Sequence, residues 1–485
     1  MSVKRYDVAI IGGGCVGGAL AYRLSHYDLQ VVLLEQAQDV CFGVSKANSG
    51  IVHGGFHYSA HETLKGRLEL RGNEMFDQLE ADLGFPFQRC GILVAAFNAE
   101  QLATVRTLYE RGVANGVPGI ELCDSRRLHE LEPKLQPGAV GGLYAPRGGV
   151  VEPFAYVFRL VEAARANGLV LKCGFKVTAA HRENSCWSIF SADGDCVTAR
   201  HVVNCAGLHS DEVSRIFGGE SFRIIPRKGE EYLLDRTSAA RPSHVLFPVP
   251  SAHSKGVLVI PTAGGTTMIG PTAQLVDSKE DNATTEANRA AIFALARGMV
   301  GGITERELIA SFAGLRPVLE GQEDFFIAPS RIAPEFIQVA GIQSPGLTAS
   351  PAIAEMVASL LEKNGLKLSA KESCTLPPKP MALRELAPEA VDALHKDDAG
   401  WTNIVCRCER VSEAEIRAAI RAGHTTVDGV KLSTRAGMGR CQGGFCMLKI
   451  MRLIAEECHV ELDAVLKREL GSELAVASLK SSKEL

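Results

Sequence analysis

Four cysteines near the carboxy end carry the most specific spacing in the chain. Cys406 and Cys408 form C-x-C, and after 32 intervening residues Cys441 and Cys446 form C-x4-C. Four converging thiolates can hold a tetrahedral zinc ion or an iron–sulfur cluster. C-x-C is tighter than the usual zinc-knuckle spacing. Gly437, Gly439, Gly443 and Gly444 also supply tight backbone whose amides can meet cluster sulfurs. The spacing favours a cluster, whose chemistry is the relay of single electrons. The other ten cysteines, scattered from Cys15 to Cys458, read as buried small thiols.

A second constellation lies at the amino end. Gly12, Gly14 and Gly17 have the spacing G-x-G-x-x-G, directly after the apolar run 8–11 and ahead of a helical pattern reaching Ser25. The first glycine permits a tight turn, the second lets backbone approach a pyrophosphate, and the third lets helix pack closely on strand. A second apolar run, 31–35, ends in Glu35, placed to accept hydrogen bonds from a ribose. Strand, triplet, helix, strand and acid together predict a dinucleotide cradle.

These sites need more than one core to hold them. A chain of 485 residues exceeds the usual single domain. The net charge of −4 provides no general basis for binding nucleic acid or for polybasic membrane attachment. With no signal peptide and no spanning apolar run, a cytoplasmic protein is expected, reaching a membrane only through a partner. A Gly-, Ser-, Asn- and His-rich loop follows Glu35, and helices are expected over 63–83, up to Glu130 around the NGVPG turn, and up to Ala166. Alternating segments around Asp193-Gly194 predict a hairpin, with 202–205 in its last strand. Residues 221–272 are strand-rich, with helix near 288–299 and then strand, glycine loop and helix from 336. Pro and Lys mark a linker at 367–399. Ser412 and Glu415 form a capping box, a last helix starts near Gly444, and the final seven residues read as a frayed end.

The final segment, CRC with GMGRCQGGFC, resembles bacterioferritin-associated ferredoxin, and Cys406, Cys408, Cys441 and Cys446 match that family's four 2Fe-2S ligands one by one. The rest resembles the D-amino-acid oxidase-like FAD oxidoreductases, most closely the large subunits of anaerobic glycerol-3-phosphate dehydrogenases. IIGGGCVGG, NSGIVHGGFHY, GVLVIPTAGGTTMIGPTA, FAGLRP and SPGLTASPAIAEMV carry that resemblance. It implies an α/β fold: a Rossmann-like FAD-binding domain, an interleaved α+β substrate domain, and a small helical carboxy-terminal iron–sulfur domain. Residues 1–85, 145–220 and 325–366 would form the FAD-binding part, 86–144 and 221–324 the substrate part, and 400–485 the 2Fe-2S domain with its tail.

The resemblance also implies site residues. Gly12, Gly14, Gly17 and Glu35 would hold the adenosine and pyrophosphate of FAD, and Ser45, Asn48, Ser49 and Gly50 the loop near the pyrophosphate and isoalloxazine. Val177, Ala206 and Gly207 would lie on the adenine side, and Gly346 and Leu347 at the flavin's polar edge. His53 leads for the flavin face, since imidazole titrates near neutrality, with His57 and Tyr58 second. Arg316 is the expected anchor of a carboxylate or phosphate, because a planar guanidinium offers paired donors. Arg227 and Lys228 would extend the positive site. The expected activity is dehydrogenation of a small anionic hydroxy compound, first sn-glycerol 3-phosphate, with electrons leaving through the 2Fe-2S cluster to an acceptor subunit or quinone system. L-2-hydroxyglutarate, another 2-hydroxy acid and, more distantly, an amino or imino acid are the alternative substrates. A non-catalytic electron-transfer or assembly subunit is the alternative class.

Overall fold

The computed structural model describes residues 5–183, 185–250 and 255–475, so the final seven residues lie outside them. The chain forms two compact units, one of residues up to 34 together with 41–377, the other of 35–40 with those from 378 onward.

The first unit is organised by an eight-stranded sheet. Its centre is Arg5–Ile11, paired in parallel with Val31–Leu34 on one side and Cys196–Asn204 on the other. Val8, Ala9 and Ile10 have no exposed surface, as expected of a strand covered on both faces. Val170–Lys172 and Phe336–Ala340 extend the parallel core, and Val177–Glu183 with Cys186–Ser191 add the antiparallel hairpin. The helix Cys15–Leu24 packs against Pro153–Ala166 and Gly346–Lys363.

A nine-stranded, mostly antiparallel sheet is interleaved with the first. Its backbone is the long pair Ile224–Leu234 and Leu308–Leu319, in which Arg227 stands opposite Arg316 and Glu231 opposite Phe312. The helix Glu286–Met299 covers one face with Ile292 and Phe293 in the core. Residues 121–124, expected between two helices, form an edge strand against Gly141–Ala145, with only Cys123 buried.

The second unit is small and mainly helical. Val405, Ile416, Ile420, Val430, Ile450 and Ile454 form its core. The capping box forms: Ser412 Oγ accepts from Glu415 N at 3.3 Å while Ser412 N donates to the Glu415 carboxylate at 2.7 Å. Three details differ from expectation. The proline-marked stretch contains a helix, Pro388–Asp397, with proline in its first turn where the missing N–H costs nothing. A short helix, Val427–Thr434, lies between the cysteine pairs, and the last helix runs Met447–Cys458, starting after the ligand loop.

Candidate functional site

The glycine turn is closed by contacts that no side chain would permit. Gly12 has φ +104°, and a Cβ there would lie 2.5 Å from the Cys205 carbonyl oxygen, beside Ala206. A Cβ on Gly17 would lie 1.9 Å from Gly12 O, so this glycine sets how closely helix and turn approach. Gly14 faces Ser45 Oγ, which accepts from Cys15 N at 2.9 Å at the helix start. The helix has no acidic residue in its first turn and no side-chain cap from Gly14. Its positive end therefore opens on a cradle that a Cβ would fill, which fits a pyrophosphate. Glu35 is buried, with one carboxylate oxygen accepting from Ala37 N at 2.9 Å.

The loop after the cradle is held from within. Asn48 donates to Ser45 O at 2.7 Å and accepts from Gly50 N at 2.9 Å. Gly50, at φ +62°, lies against Val151 O. Ser49 Oγ donates to Glu231, a buried carboxylate on the neighbouring long strand. Ala206 and Gly207 enter the turn after Cys196–Asn204, and Gly346 and Leu347 begin the helix Gly346–Lys363. Val177 starts the outer hairpin and packs on the same core as Ala206.

His53 and His57 are both buried. His53 N donates to Thr348 Oγ1 at 3.0 Å, tying the loop to the helix that Leu347 begins. His53 Nε2 lies 3.2 Å from Ser344 Oγ, which also lies 3.3 Å from Lys255 Nζ. His53 Nδ1 and both His57 nitrogens have no hydrogen-bond partner among the described residues. His57 is packed between Phe56 and Phe247, with ring centroids 4.3 and 5.2 Å away. Burial, with Lys255 adding to it, holds both imidazoles well below the usual histidine range. Both are therefore neutral at neutral pH.

Cations gather around Tyr58. Lys65 Nζ lies 4.2 Å and Lys255 Nζ 4.9 Å from its ring centroid. Arg227 and Arg316 are close enough to act on its hydroxyl, although burial dominates and keeps the phenol protonated. Arg316 is laid flat along the strand: its terminal nitrogens donate to Thr272 O at 3.2 and 3.1 Å, and a Cβ on Gly229 would meet one of them at 2.5 Å. Burial lowers Lys255 to about 8, and the neighbouring Glu69, pushed up to about 7 by burial, pulls against that shift. Glu231 is likewise raised to about 7 by burial, with Ser49 and Arg316 opposing.

One expected anchor is corrected. Lys228 is buried on the opposite strand face, bound to Asp281 at 2.8 Å and to Ala283 O at 3.2 Å. Adjacent strand residues point to opposite faces, so Arg227 remains with Arg316 while Lys228 leaves. Sequence reasoning missed Lys65, Glu69, Glu231 and Lys255, which sit in ordinary-looking charged or polar stretches, and Ser344, which opens SPGLTASPAIAEMV. The one usable signal was strand alternation through 227–231.

In the second unit the four cysteines come together as two pairs. Cys408 Sγ lies 3.6 Å from Cys441 Sγ, and Cys406 is hydrogen-bonded with Cys446. Gly437 N donates to Cys406 Sγ at 3.5 Å, the amide-to-sulfur contact that the glycines suggested. Cys406 and Cys446 are buried, whereas Cys408 is exposed. Four thiols gathered in two pairs, with an amide donated to one sulfur, are a donor set that fits an iron–sulfur cluster.

Known proteins resemble both units. A family model described as FAD dependent oxidoreductase matches residues 7–360, and one described as BFD-like [2Fe-2S] binding domain matches residues 404–456. A glycerol 3-phosphate dehydrogenase of Caloramator mitchellensis is 39% identical over 482 residues, 98% of this chain and 99% of that protein. A glycerol 3-phosphate oxidase of Mycoplasma pneumoniae is 29% identical, covering 73% of this chain and 94% of its own. The FAD-bound, dithionite-reduced L-alpha-glycerophosphate oxidase structure from that organism aligns with a TM-score of 0.73 at 28% identity, over 76% of this chain and 97% of its own. Human mitochondrial L-2-hydroxyglutarate dehydrogenase is 28% identical over 58% of this chain and 63% of its own length.

Proposed function

The chain belongs to the FAD dependent oxidoreductase family and carries a BFD-like [2Fe-2S] binding domain, and on that premise we propose that it oxidises sn-glycerol 3-phosphate to dihydroxyacetone phosphate. The two electrons leave singly through the cluster to an acceptor protein or quinone system. The observation that carries the reading is the set of cations, Arg316, Arg227, Lys255 and Lys65, gathered around Tyr58 beside the neutral His53. A dianion suits such a set, and the whole-length relative named for glycerol 3-phosphate supports a phosphate ester over a dicarboxylate.

When bound, FAD would accept a hydride from the substrate's carbon, and the cluster would relay single electrons. The chain's own residues do the rest. Gly12, Gly14, Gly17 and Ser45 cradle the pyrophosphate, and Glu35 takes the ribose. Val177, Ala206 and Gly207 serve the adenine side. Asn48, Ser49, Gly50, Gly346 and Leu347 surround the ring system. Arg316 and Lys255 bind the phosphate, with Arg227 and Tyr58 beside them. His53, donating from Nε2 to Ser344, keeps the Nδ1 lone pair open to take the hydroxyl proton. His57 walls the same pocket. Cys406, Cys408, Cys441 and Cys446 hold the cluster.

In this reading residues 1–85, 145–220 and 325–366 serve FAD, and 86–144 with 221–324 serve the substrate. No helix among the described residues is long and apolar enough to cross a membrane. We place the enzyme in the cytoplasm, at the membrane only through a partner.

Anaerobic bleaching of the flavin by glycerol 3-phosphate, L-2-hydroxyglutarate, lactate and several amino acids tests the reading. Glycerol 3-phosphate is expected to bleach fastest. Faster bleaching by L-2-hydroxyglutarate would transfer the assignment to a 2-hydroxy acid. No bleaching by any of them would leave an electron-transfer or assembly subunit.

A further inference from the structure

The four-cysteine site has an exposed side. Cys408 is exposed and Cys441 half-buried, while Cys406 and Cys446 face the core. Beside the exposed pair stands Phe445, 85% exposed, the one aromatic among the large exposed hydrophobic residues of the described chain. Leu448, 50% exposed, lies three residues on. Along Met447–Cys458 the core side is taken by Ile450, Met451, Leu453 and Ile454, so Leu448, Lys449 and Arg452 form the outward stripe next to the cysteines, and Glu456, one turn further on, is paired with Arg417 at 2.7 Å.

In the two stretches that carry the cysteines the exposed charge has one sign. Within residues 404–412 and 437–452 the exposed charged residues are Arg407, Arg410, Arg440, Lys449 and Arg452, all basic. The only acid in those two stretches, Glu409, is buried against Arg435 at 2.9 Å. Arg407 immediately precedes Cys408 and Arg440 immediately precedes Cys441, so the two wet ligands are each flanked by a guanidinium. In a chain of net charge −4 this basic set is a local departure, not a general property.

An exposed aromatic accompanied by exposed charge of one sign suits a protein docking site, where the aromatic anchors and the charge steers. We infer that Phe445 and Leu448, with the exposed cations Arg407, Arg410, Arg440, Lys449 and Arg452 of the same two cysteine-bearing stretches, form the docking face for a one-electron acceptor protein whose own redox centre is rimmed by acidic residues. The inference rests on the electron exit proposed above and names the partner's chemistry. One substrate oxidation releases two electrons, so two acceptor molecules each take one across this face, and the substrate's protons go to solvent.

The test uses the full-length holoenzyme prereduced with one equivalent of dithionite, so its result does not depend on the substrate assignment. Cytochrome b5, acidic at its haem edge, and cytochrome c, basic there, are the two probes. The rate constant with cytochrome b5 is expected to fall about tenfold or more as salt rises, in the range of electrostatic steering. K449E/R452E should lose a similar factor at low salt, and F445A should slow the reaction at every salt concentration. Cluster absorbance and reduction of the cluster by the flavin should be unchanged in both variants. Rates with cytochrome b5 that ignore salt and the charge reversals would overturn the inference, as would a preference for cytochrome c. If F445A instead slows flavin-to-cluster transfer, the face serves the chain's own flavin unit. If wild type sediments as a dimer that F445A breaks, it seats a second copy.

Discussion

Replacing Arg316 by alanine tests the substrate site most directly. Two of its five N–H donors point at Thr272 O, and the remainder are available to an anion. A hydrogen bond to a charged group contributes about 1.5–3 kcal/mol, so a paired contact is worth about 3–6 kcal/mol. Lys255 and Arg227 stay in place and retain part of the anion's charge, which favours the low end. A loss of about 3 kcal/mol corresponds to roughly a 150-fold fall in kcat/KM. Most of it should appear in KM for glycerol 3-phosphate, read by anaerobic stopped-flow bleaching. FAD content should be unchanged, because Arg316 is not one of the cradle residues. Arg316→Lys should recover only part of the loss, since an ammonium cannot reproduce the planar fork. Uncharged glycerol should be oxidised equally poorly by both enzymes. Unchanged KM and turnover in Arg316→Ala, or an equal loss with glycerol, would refute the anchoring role.

The remaining predictions concern the base, the cluster and the cradle. Burial holds His53 well below its ordinary value of 6.5, so the neutral, proton-accepting form prevails above that value. kcat/KM should rise with pH through an acid limb below pH 6.5 and then level off; His53→Gln should cut turnover by about 10²–10⁴ and abolish the limb, and a limb that survives the substitution excludes His53 as its source. Cys446→Ser should lose iron and sulfide while substrate still bleaches the flavin, and reduction of one-electron acceptors should fail; retained iron would remove Cys446 from the ligand set. A Cβ on Gly17 would sit 1.9 Å from Gly12 O, so Gly17→Ala should lose bound FAD or soluble protein, and full flavin occupancy would contradict the packing argument.

What could be read from the chain was whatever a short segment determines by itself. The Ser412–Glu415 cap is closed by neighbours in sequence and the glycine turn by backbone atoms, while the cysteines, 33 residues apart at Cys408 and Cys441, were legible because their spacing is a motif. The edge strand Glu121–Asp124 was hidden because it buries one side chain and its partner lies about twenty residues on. The helix Pro388–Asp397 was hidden because proline reads as a breaker unless its place in the first turn is recognised. Lys65, Glu69 and Lys255 looked like solvated charges. Only tertiary structure shows that Lys65 and Lys255 approach one tyrosine from segments about 190 residues apart.

The strand Ile224–Leu234 shows where more could have been extracted. Its sequence reads Arg227, Lys228, Gly229, Glu230, Glu231, Tyr232, and a period of two divides it into two chemistries. Lys228 and Glu230 face away from the loop holding Ala47 and Ser49: Lys228 binds Asp281, and Glu230 binds Thr285 and Asn288 at the start of Glu286–Met299. Gly229 and Glu231 meet Arg316 and Ser49 on the other side. Across the pair, Gly314 presses on Ala47 O, where a Cβ would lie 1.9 Å away. The site therefore depends on register. A one-residue slip between the two long strands would exchange the faces, bringing Lys228 and Glu230 toward the loop holding Ala47 and Ser49 in place of Arg227, Gly229 and Glu231. The twelve-residue strand Leu308–Leu319 is long enough to fix that register against Ile224–Leu234, which is why so long a pair stands behind a site of only a few side chains.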